Sequence, residues 1–196
     1  ISPNRMFVHA SIAERFIEVL SERVAKLRAG SGLEDGVAIG PLVNEIAVAK
    51  VAAQVDDAVA KGATLHCGGA RLTDGGLDKG FFYAPTVLSG ISEDMLIYRE
   101  ETFGPVAAVM TFDDDTRALE MANDTNYGLA AYVYTRDIGR AMRMFEGLEF
   151  GIIGINDINP TSAAAPFGGM KESLFADIKA QGKSVVNFFT EEKIIT

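Results

Sequence analysis

The chain has 196 residues, 48% hydrophobic and 23% charged, which is the size and composition of one globular domain with a sizeable core. Its formal net charge of −9, with no basic cluster to offset it, argues against nucleic acid or an anionic membrane as a partner. The single Cys67 excludes an internal disulfide and predicts a reducing compartment, the cytoplasm.

The first part of the chain predicts two strands and two amphipathic helices. A strand over 5–9 leads to Ser11-Ile12-Ala13-Glu14, which has the form of a capping box, and Gly30 is the expected C-terminal cap of the helix that follows. Asn44 is expected to cap a second helix that ends near Gly62. The apolar stripe of that helix is formed by Val48, Val51, Val55 and Val59. A strand is predicted over 64–67.

The rest of the chain continues this alternation of strands and helices. Strands are predicted over 82–88, 106–112, 129–134 and 151–156, with helices over about 116–123 and from a cap at Asp137 to about 148. Strands separated by helices predict an α/β fold with a mostly parallel, open twisted sheet and flanking helices. One compact domain is expected over 1–171, followed by a tail, 172–196, in which 187–196 has the partial alternation of a strand.

The most informative stretch is Arg99-Glu100-Glu101-Thr102-Phe103-Gly104-Pro105-Val106. Two acids, an aromatic ring and a Gly-Pro turn precede a predicted strand, an arrangement that suits a flat, hydroxyl-rich ligand such as the ribose and base of a nucleotide. An exposed acidic turn is the simpler alternative. The whole run, however, resembles the Glu-Glu-x-Phe-Gly-Pro signature of the NAD(P)-dependent aldehyde dehydrogenase superfamily.

Other segments resemble signatures of the same superfamily in the same order. They are Arg5-Met6-Phe7-Val8-His9, Gly40-Pro41-Leu42, Phe81-Phe82-Tyr83-Ala84-Pro85-Thr86-Val87-Leu88, Asn126-Tyr127-Gly128-Leu129-Ala130 and Pro166-Phe167-Gly168-Gly169-Met170-Lys171. The resemblance covers about 2–171. It implies the catalytic-domain fold of that superfamily and an oxidoreductase that acts on an aldehyde.

The resemblance implies that NAD or NADP binds at Glu101 and Phe103. By their positions in the matching motif, Glu101 would accept hydrogen bonds from the nicotinamide ribose hydroxyls, and Phe103 would pack against the nicotinamide. A carboxylate only accepts hydrogen bonds, which suits two adjacent hydroxyl donors. Because neighbouring side chains of an extended segment point to opposite faces, Glu101 alone is assigned to the cofactor and Glu100 to a structural partner.

The candidate substrate-binding residues are Asn156, Ser162 and Phe167, in the loop that follows a predicted buried strand. Recognition residues of α/β proteins usually lie on such loops. In the resembling superfamily this loop lines the substrate tunnel, where Phe167 would supply an aromatic wall and Asn156 ends the strand beneath it. Ser162 is a candidate hydrogen-bond donor to a substrate carboxylate. A core anchor for Phe167 and an ordinary surface serine at 162 are the alternatives.

The resemblance assigns no catalytic residue to this chain. Counting back from Arg5, the nucleophilic cysteine of the superfamily would fall immediately before Ile1, and the general base and the dinucleotide-binding domain would lie further upstream. The expectation is therefore a catalytic-domain fragment of an enzyme that oxidises a short polar or carboxylated semialdehyde through a cysteine thioester. A non-catalytic folding and dimerisation module is the alternative.

Three further features bear on this expectation. Ser173-Leu174-Phe175-Ala176-Asp177 resembles a methylmalonate-semialdehyde branch, some of whose members acylate coenzyme A, whereas 154–161 resembles a succinate-semialdehyde branch, so hydrolysis and acyl transfer both stay open. The resemblance also gives the C-terminal strand a role in a homodimer or homotetramer, against the alternative that it closes its own sheet. No metal site is predicted, because His9, His66 and Cys67 have no zinc-binding spacing.

Overall fold

The computed structural model describes residues 3–174, 179–191 and 193–194. The chain divides into two compact units, unit 1 (Ile1–Asp114) and unit 2 (Asp115–Thr196). This division falls earlier in the chain than the boundary after residue 171 that the sequence predicts.

Unit 1 is built on a four-stranded mixed sheet in the order β1-β4-β3-β2. The strands are β1 (Met6–His9), β2 (Thr64–Cys67), β3 (Thr86–Ser89) and β4 (Val106–Phe112). The central strand β4 runs parallel to both neighbours, with Val109 opposite Met6 of β1 and Val106 opposite Thr86 of β3. Only β2 is antiparallel, at the edge beside β3. The α/β class and the largely parallel pairing are confirmed.

Three helices flank this sheet: α1 (Ala10–Val24), α2 (Glu45–Ala60) and the short α3 (Leu96–Arg99). A 3-10 helix also occupies Asp74–Lys79. The predicted cap of α2 is confirmed, since the Asn44 side chain accepts the Ala47 N–H at 2.9 Å. The capping box at Ser11 is wrong. The imidazole Nδ1 of His9 accepts the Ser11 N–H at 3.2 Å instead, so the N-cap lies two residues earlier than predicted and Ser11 lies inside α1.

The C-terminal end of α1 also differs from the prediction. The helix ends at Val24 rather than near Gly30. Beyond it the chain tightens, because Leu27 donates its N–H to the Val24 carbonyl at 3.0 Å, a bond three residues back. Gly30 instead bonds to the Ile39 carbonyl, which directs the chain into the next loop.

The core of unit 1 includes one face of α2, while α1 packs on the strands of the sheet. Val48, Val51 and Val55 of the predicted stripe are buried, whereas Val59 is 43% exposed. The side chains that fill the rest of this core come from β3, β4 and the segments beside them, namely Tyr83, Val87, Leu88, Met95, Ile97, Ala108, Val109 and Met110. These elements give the segment between α3 and β4 a rigid base.

Unit 2 contains shorter elements. They are α4 (Asp115–Asn123), β5 (Tyr127–Gly128), β6 (Ala130–Val133), α5 (Ile138–Gly147), β7 (Ile152–Ile155), β8 (Met170–Lys171), a 3-10 helix (Gly182–Ser184) and α6 (Val185–Phe189). Strands β6 and β7 pair in parallel, with Ala130 opposite Ile152, and β5 pairs antiparallel with β8. The predicted cap of α5 is confirmed, because the Asp137 carboxylate accepts the Arg140 N–H.

The tail does not have the secondary structure that its sequence predicts. Within the predicted strand 187–196, residues 187–189 form the end of helix α6, and no strand is assigned to 190, 191, 193 or 194. The remaining positions, 192, 195 and 196, lie outside the described residues. The predicted strand is therefore wrong at 187–189. A short helix with apolar residues on several sides can give the same partial alternation of apolar and polar residues as a strand. In the part of the chain that is described, no helix is both long and apolar enough to cross a membrane.

Candidate active site

The segment that carries Glu101 and Phe103 joins the end of α3 to the start of β4 in unit 1. Its N-terminal base is fixed by Asp57 of α2, whose carboxylate accepts the Leu96 N–H at 2.8 Å and pairs with Lys61 at 2.8 Å. The Lys61 ammonium, together with that N–H, lowers the pKa of Asp57 below its ordinary value, so the carboxylate remains ionised at neutral pH. Helix α3 is thus anchored to α2 just before the candidate residues.

The C-terminal end of the segment is fixed by close backbone packing. Pro105 accepts the Thr86 N–H through its carbonyl at 2.8 Å, which joins the segment to β3. Gly104 packs so tightly on α2 that a Cβ there would lie 2.6 Å from Cγ2 of Val51. Any larger residue at 104 would have to displace the Val51 side chain, so the segment has little freedom at either end.

The side chains between these ends alternate between the interior and solvent. Thr102 is buried, and its neighbours Glu101 and Phe103 are exposed. Glu100 is exposed too, and its carboxylate accepts a hydrogen bond at 3.4 Å from Nε2 of Gln54, a residue that is only 1% exposed. Glu100 thus has a structural partner, while the Glu101 side chain has no hydrogen-bond or ion-pair partner among the described residues.

Phe103 combines an exposed side chain with a rare backbone conformation. Its side chain is 81% exposed, and its φ of 52° lies in the left-handed region that bulky residues rarely adopt. Such a conformation costs about 1–3 kcal/mol and is found mainly at functional sites. No described aromatic ring or cation stacks on this ring. The position therefore offers a flat apolar face beside a free carboxylate.

The predicted substrate-binding residues all lie in unit 2. Ser162 and Phe167 line a common cavity of about 20 Å³, together with Ile152, Pro160, Thr161, Ala165, Pro166 and Gln181. This volume holds about one water molecule, which is too small for an aldehyde substrate. Phe167 is half-buried and pairs through its backbone with Ala180, in keeping with an anchoring role for its ring. Ser162 is exposed, and its Oγ accepts the Ala164 N–H at 3.2 Å.

The side chain of Asn156 makes two hydrogen bonds to the backbone of Thr135. Its Oδ1 accepts the Thr135 N–H at 3.0 Å, and its Nδ2 donates to the Thr135 carbonyl at 2.9 Å. Its φ of 53° is left-handed, a conformation that asparagine adopts more readily than most residues. The side chain thus fixes where β7 ends and where the loop over 157–167 begins. A direct contact between Asn156 and the substrate stays a prediction.

Two contributors to these sites were not singled out in the sequence. Asn4 bonds to the Glu100 carbonyl and to the Thr102 N–H, on either side of Glu101. Lys179 donates from Nζ to the Gly169 carbonyl at 2.6 Å and thereby holds the Pro166–Gly169 turn. Neither contact has a signal in the local sequence, since each joins segments that are separated along the chain.

The remaining reactive side chains have structural partners. His66 shares a hydrogen bond of 2.7 Å with the Ser89 hydroxyl, and His9 caps α1. Cys67 is half-buried, with its thiol 3.9 Å from the Pro85 carbonyl. Within the described ranges, no group of three or more His, Cys, Asp or Glu side chains is placed to hold a metal ion. A groove of about 500 Å³ between α1 and His66 is lined by three glutamates, and neither Glu101 nor Phe103 belongs to its lining.

Comparison with known proteins identifies the family. The sequence profile of the aldehyde dehydrogenase family matches residues 1–195. The chain is 46% identical over 173 residues to the non-phosphorylating aspartate-semialdehyde dehydrogenase of Halomonas elongata, covering 88% of this chain and 34% of that protein. It is 44% identical over 173 residues to the NADP(+) succinate-semialdehyde dehydrogenase GabD of Escherichia coli, covering 88% of this chain and 35% of that protein.

The fold agrees with this result. A crystal structure of betaine aldehyde dehydrogenase from Staphylococcus aureus in complex with NAD+ superposes with a TM-score of 0.89 at 36% identity, over 95% of this chain and 37% of that one. The chain spans about a third of the length of the curated relatives it matches. On the extent of the profile match, the chain belongs to the aldehyde dehydrogenase family.

Proposed function

We propose that the complete protein, meaning this chain with whatever segments its gene encodes on either side, oxidises a short semialdehyde with NAD or NADP. In this proposal Glu101 and Phe103 belong to the cofactor site, and Ser162 and Phe167 belong to the aldehyde-binding site. The nucleophilic cysteine and the rest of the dinucleotide site lie outside residues 1–196. The names of the relatives, aspartate- and succinate-semialdehyde dehydrogenase, support the carboxylated class of substrate.

The observation that carries the proposal is the pair formed by a free carboxylate and a strained, exposed aromatic ring. Packing does not explain Phe103, whose side chain is 81% exposed in a left-handed conformation. A large apolar side chain held in this way gains stability when a flat partner covers it. A nicotinamide ring is such a partner, and the ribose beside it presents two hydroxyl donors to the acceptor-only Glu101.

The residues present therefore fit the cofactor that the family uses. When bound, the nicotinamide supplies the acceptor for the hydride that leaves the aldehyde. Glu101 would hold the ribose by charge-assisted hydrogen bonds, and Phe103 would pack on the ring and exclude water from it. Because both residues stand on a segment anchored at α3 and at β4, they orient the cofactor without first having to be ordered.

Assembly and location are part of the same proposal. The described part of the tail exposes large apolar side chains, with Val186 at 58%, Phe189 at 77% and Ile194 at 87%. Apolar side chains exposed close together in the sequence are typical of a subunit interface, which supports a homodimer or homotetramer. The single Cys67 is compatible with a reducing compartment, and we place the complete protein in the cytoplasm.

The direct test is cofactor reduction by the complete protein. Succinate semialdehyde and aspartate semialdehyde are supplied with NAD or NADP, each with and without coenzyme A, and reduced nicotinamide is followed by its absorbance. We expect turnover with at least one semialdehyde. Formation of an acyl-coenzyme A, detected by mass spectrometry, would assign the acyl-transfer branch, and a free acid the hydrolytic branch. An absence of reduction across a broad aldehyde panel would refute the proposed activity.

The role of Glu101 is tested by Glu101→Gln in the complete protein. The amide keeps the size of the side chain but loses the charge that strengthens two hydrogen bonds, so we expect the KM for the cofactor to rise about tenfold or more. The KM for the aldehyde should change little. The matched control is Glu22→Gln, which removes an exposed glutamate of α1 in the same unit and should leave both values near those of the wild type. Equal cofactor KM values in both variants would rule out the ribose contact.

A further inference from the structure

The side chain of Asn4 joins the start of the chain to the segment that carries Glu101. Its Nδ2 donates to the Glu100 carbonyl at 3.3 Å, and its Oδ1 accepts the Thr102 N–H at 2.9 Å. These two bonds connect residues 96 and 98 positions apart in the sequence. Asn4 lies two residues before strand β1, which pairs with the central strand β4. Asn4 and Glu101 therefore each lie just before one of two paired strands of the same sheet.

The two bonded groups flank a single residue, Glu101. The carbonyl of residue 100 and the N–H of residue 102 point to the same side only when residue 101 between them is extended. One carboxamide that bonds both groups therefore acts as a one-residue β-strand partner. It fixes the backbone of Glu101 and turns Thr102, which is only 4% exposed, towards the interior. The Glu101 side chain is consequently directed to the opposite, solvent-facing side.

We propose that Asn4 is a positioning residue for the cofactor carboxylate: it holds Glu101 in the conformation that receives the nicotinamide ribose. This inference rests on the proposed function of Glu101. Asn4 touches neither cofactor nor substrate in this role and acts through Glu101. Without it, Glu101 must be ordered when the cofactor binds, and that ordering lowers the affinity.

In unit 2, Asn123 makes the same pair of hydrogen bonds around a single residue, but that residue is not a candidate ligand-binding residue. Asn123 donates from Nδ2 to the Gly147 carbonyl at 2.8 Å and accepts the Glu149 N–H at 2.9 Å. These groups flank Leu148, which is a buried core residue. Asn123 therefore has the same two hydrogen bonds around one residue as Asn4, but around a leucine instead of an exposed acid. Asn123→Ala is a matched control for the structural cost of losing such a side chain.

The experiment measures NADH and NADPH binding to the complete protein by the change in nicotinamide fluorescence, which needs no turnover. For Asn4→Ala we expect the Kd of the preferred cofactor to rise about tenfold, with a similar rise in its KM and little change in the KM for the aldehyde. Asn4→Asp keeps the acceptor for Thr102 but loses the donor to Glu100, so its Kd should lie between the wild type and Asn4→Ala. Asn123→Ala should lower the Tm and leave the Kd unchanged.

The decisive arm combines Asn4→Ala with Glu101→Gln. If Asn4 acts through the Glu101 carboxylate, its removal should weaken cofactor binding much less in the Glu101→Gln protein than in the wild type. A general structural role would give the same fold-change in both backgrounds and would overturn the proposal. An unchanged Kd in Asn4→Ala would overturn it as well. If Asn4→Ala does not fold, the same comparison made with Asn4→Asp decides the question.

These outcomes separate the positioning role from the proposed function. A wild-type protein that binds NADH or NADPH but oxidises no semialdehyde would refute the proposed activity, while the Kd values would still support or refute the role of Asn4. A wild-type protein that turns over, with the same Kd in Asn4→Ala, would refute the positioning role alone. A wild type that binds neither NADH nor NADPH would refute both.

Discussion

Units 1 and 2 each hold a candidate binding segment, but they stabilise it in different ways. In unit 1 the segment stands on a four-stranded sheet and a deep core, and side chains of neighbouring elements fix its backbone. Unit 2 contributes only Ala118, Ala141, Met144 and Leu148 to the buried apolar residues described. Besides the side-chain bonds of Asn156 and Lys179, its loop is held by direct contacts between backbones at glycine positions.

The clearest of these contacts joins Gly151 to Gly168. A Cβ at Gly151 would lie 2.0 Å from the Gly168 carbonyl oxygen, and one at Gly128 would lie 2.4 Å from the Glu149 carbonyl oxygen. Polar side chains make a brace that can be lost with one or two hydrogen bonds, whereas touching backbones leave no room for any side chain. The comparison therefore predicts that the loop of unit 2 is sensitive to volume added at Gly151, and that the backbone of Glu101 in unit 1 is sensitive to the loss of polar side chains.

The largest expected effect is that of Gly151→Ala. Because the atoms that the new methyl group would meet are backbone atoms, the start of β7 and the turn at 168–169 must move apart, at a cost of about 1–3 kcal/mol in the free energy of unfolding. The KM for the aldehyde should rise more than the KM for the cofactor. Thermal unfolding and steady-state kinetics of the complete protein measure these two effects.

Gly139→Ala is the control for this substitution within the same unit. Gly139 lies in α5, and a Cβ there would meet only side-chain atoms of Arg143 and Asp137, at 3.3 Å. Alanine favours a helix over glycine by about 0.5–1 kcal/mol, so this variant should be as stable as the wild type or more stable. A loss in Gly139→Ala as large as that in Gly151→Ala would remove the argument from close backbone contact.

Sequence patterns predicted the features of both units that depend on neighbouring residues. Strands β2 and β4 lie over the predicted residues, and the caps at Asn44 and Asp137 are confirmed, because alternation and capping are local. The motif around Glu101 also located the candidate cofactor segment. What local patterns could not show is the left-handed conformation of Phe103, which follows from the anchors on both sides of it.

The features that were missed depend on distant contacts. Asn4 is an ordinary polar residue until the fold brings Glu100 and Thr102 to it. His9 replaced the predicted cap at Ser11 because its imidazole, at the end of β1, accepts the Ser11 N–H. The tail became a short helix, although its apolar residues alternate in part as in a strand. In each case a tertiary contact or a short element overrides the local pattern.

A smaller effect is expected when an unpaired polar group is removed from the core of unit 1. The hydroxyl of Tyr83 is buried with no hydrogen-bond partner among the described residues, and the residue is 1% exposed. Tyr83→Phe should therefore leave the stability of the complete protein unchanged or raise it by about 1 kcal/mol at pH 7. A clear loss would show that the hydroxyl has a hydrogen-bond partner.

The same variant has a pH signature. Burial, with a smaller contribution from Asp56, raises the pKa of Tyr83 to about 12. The unfolded chain titrates near 10, so the wild type is fully stabilised below pH 10 and loses stability as the pH rises towards 12. At pH 11 the advantage of Tyr83→Phe should have grown by about 1 kcal/mol. Denaturant unfolding of both proteins at pH 7 and pH 11 measures this change. The same difference in unfolding free energy at both pH values would argue against a buried phenol at Tyr83.

The smallest effect concerns an ion-pair cluster on the surface of unit 2. Asp115, at the start of α4, accepts from Arg140 at 2.7 Å and pairs with Arg143 at 3.4 Å. The hydrogen bond from Arg140 is the main cause that lowers the pKa of Asp115, and Arg143 adds to it. Because both arginines are largely exposed, with side-chain exposures of 45% and 63%, Asp115→Asn should cost only about 0.2–1 kcal/mol at pH 7.

The sign of its pH dependence distinguishes this pairing from the packing of unit 2. A carboxyl group whose pKa is lowered by folding contributes stability above its unfolded pKa, near 4, and the contribution is lost as the pH falls through the lower folded value. The Tm difference between wild type and Asp115→Asn should therefore be constant from pH 7 to about pH 5, shrink below pH 4, and be smaller in 1 M salt. A difference that persists at pH 3 and in high salt would instead mean that Asp115 acts through its shape and contacts, as the glycines of unit 2 do.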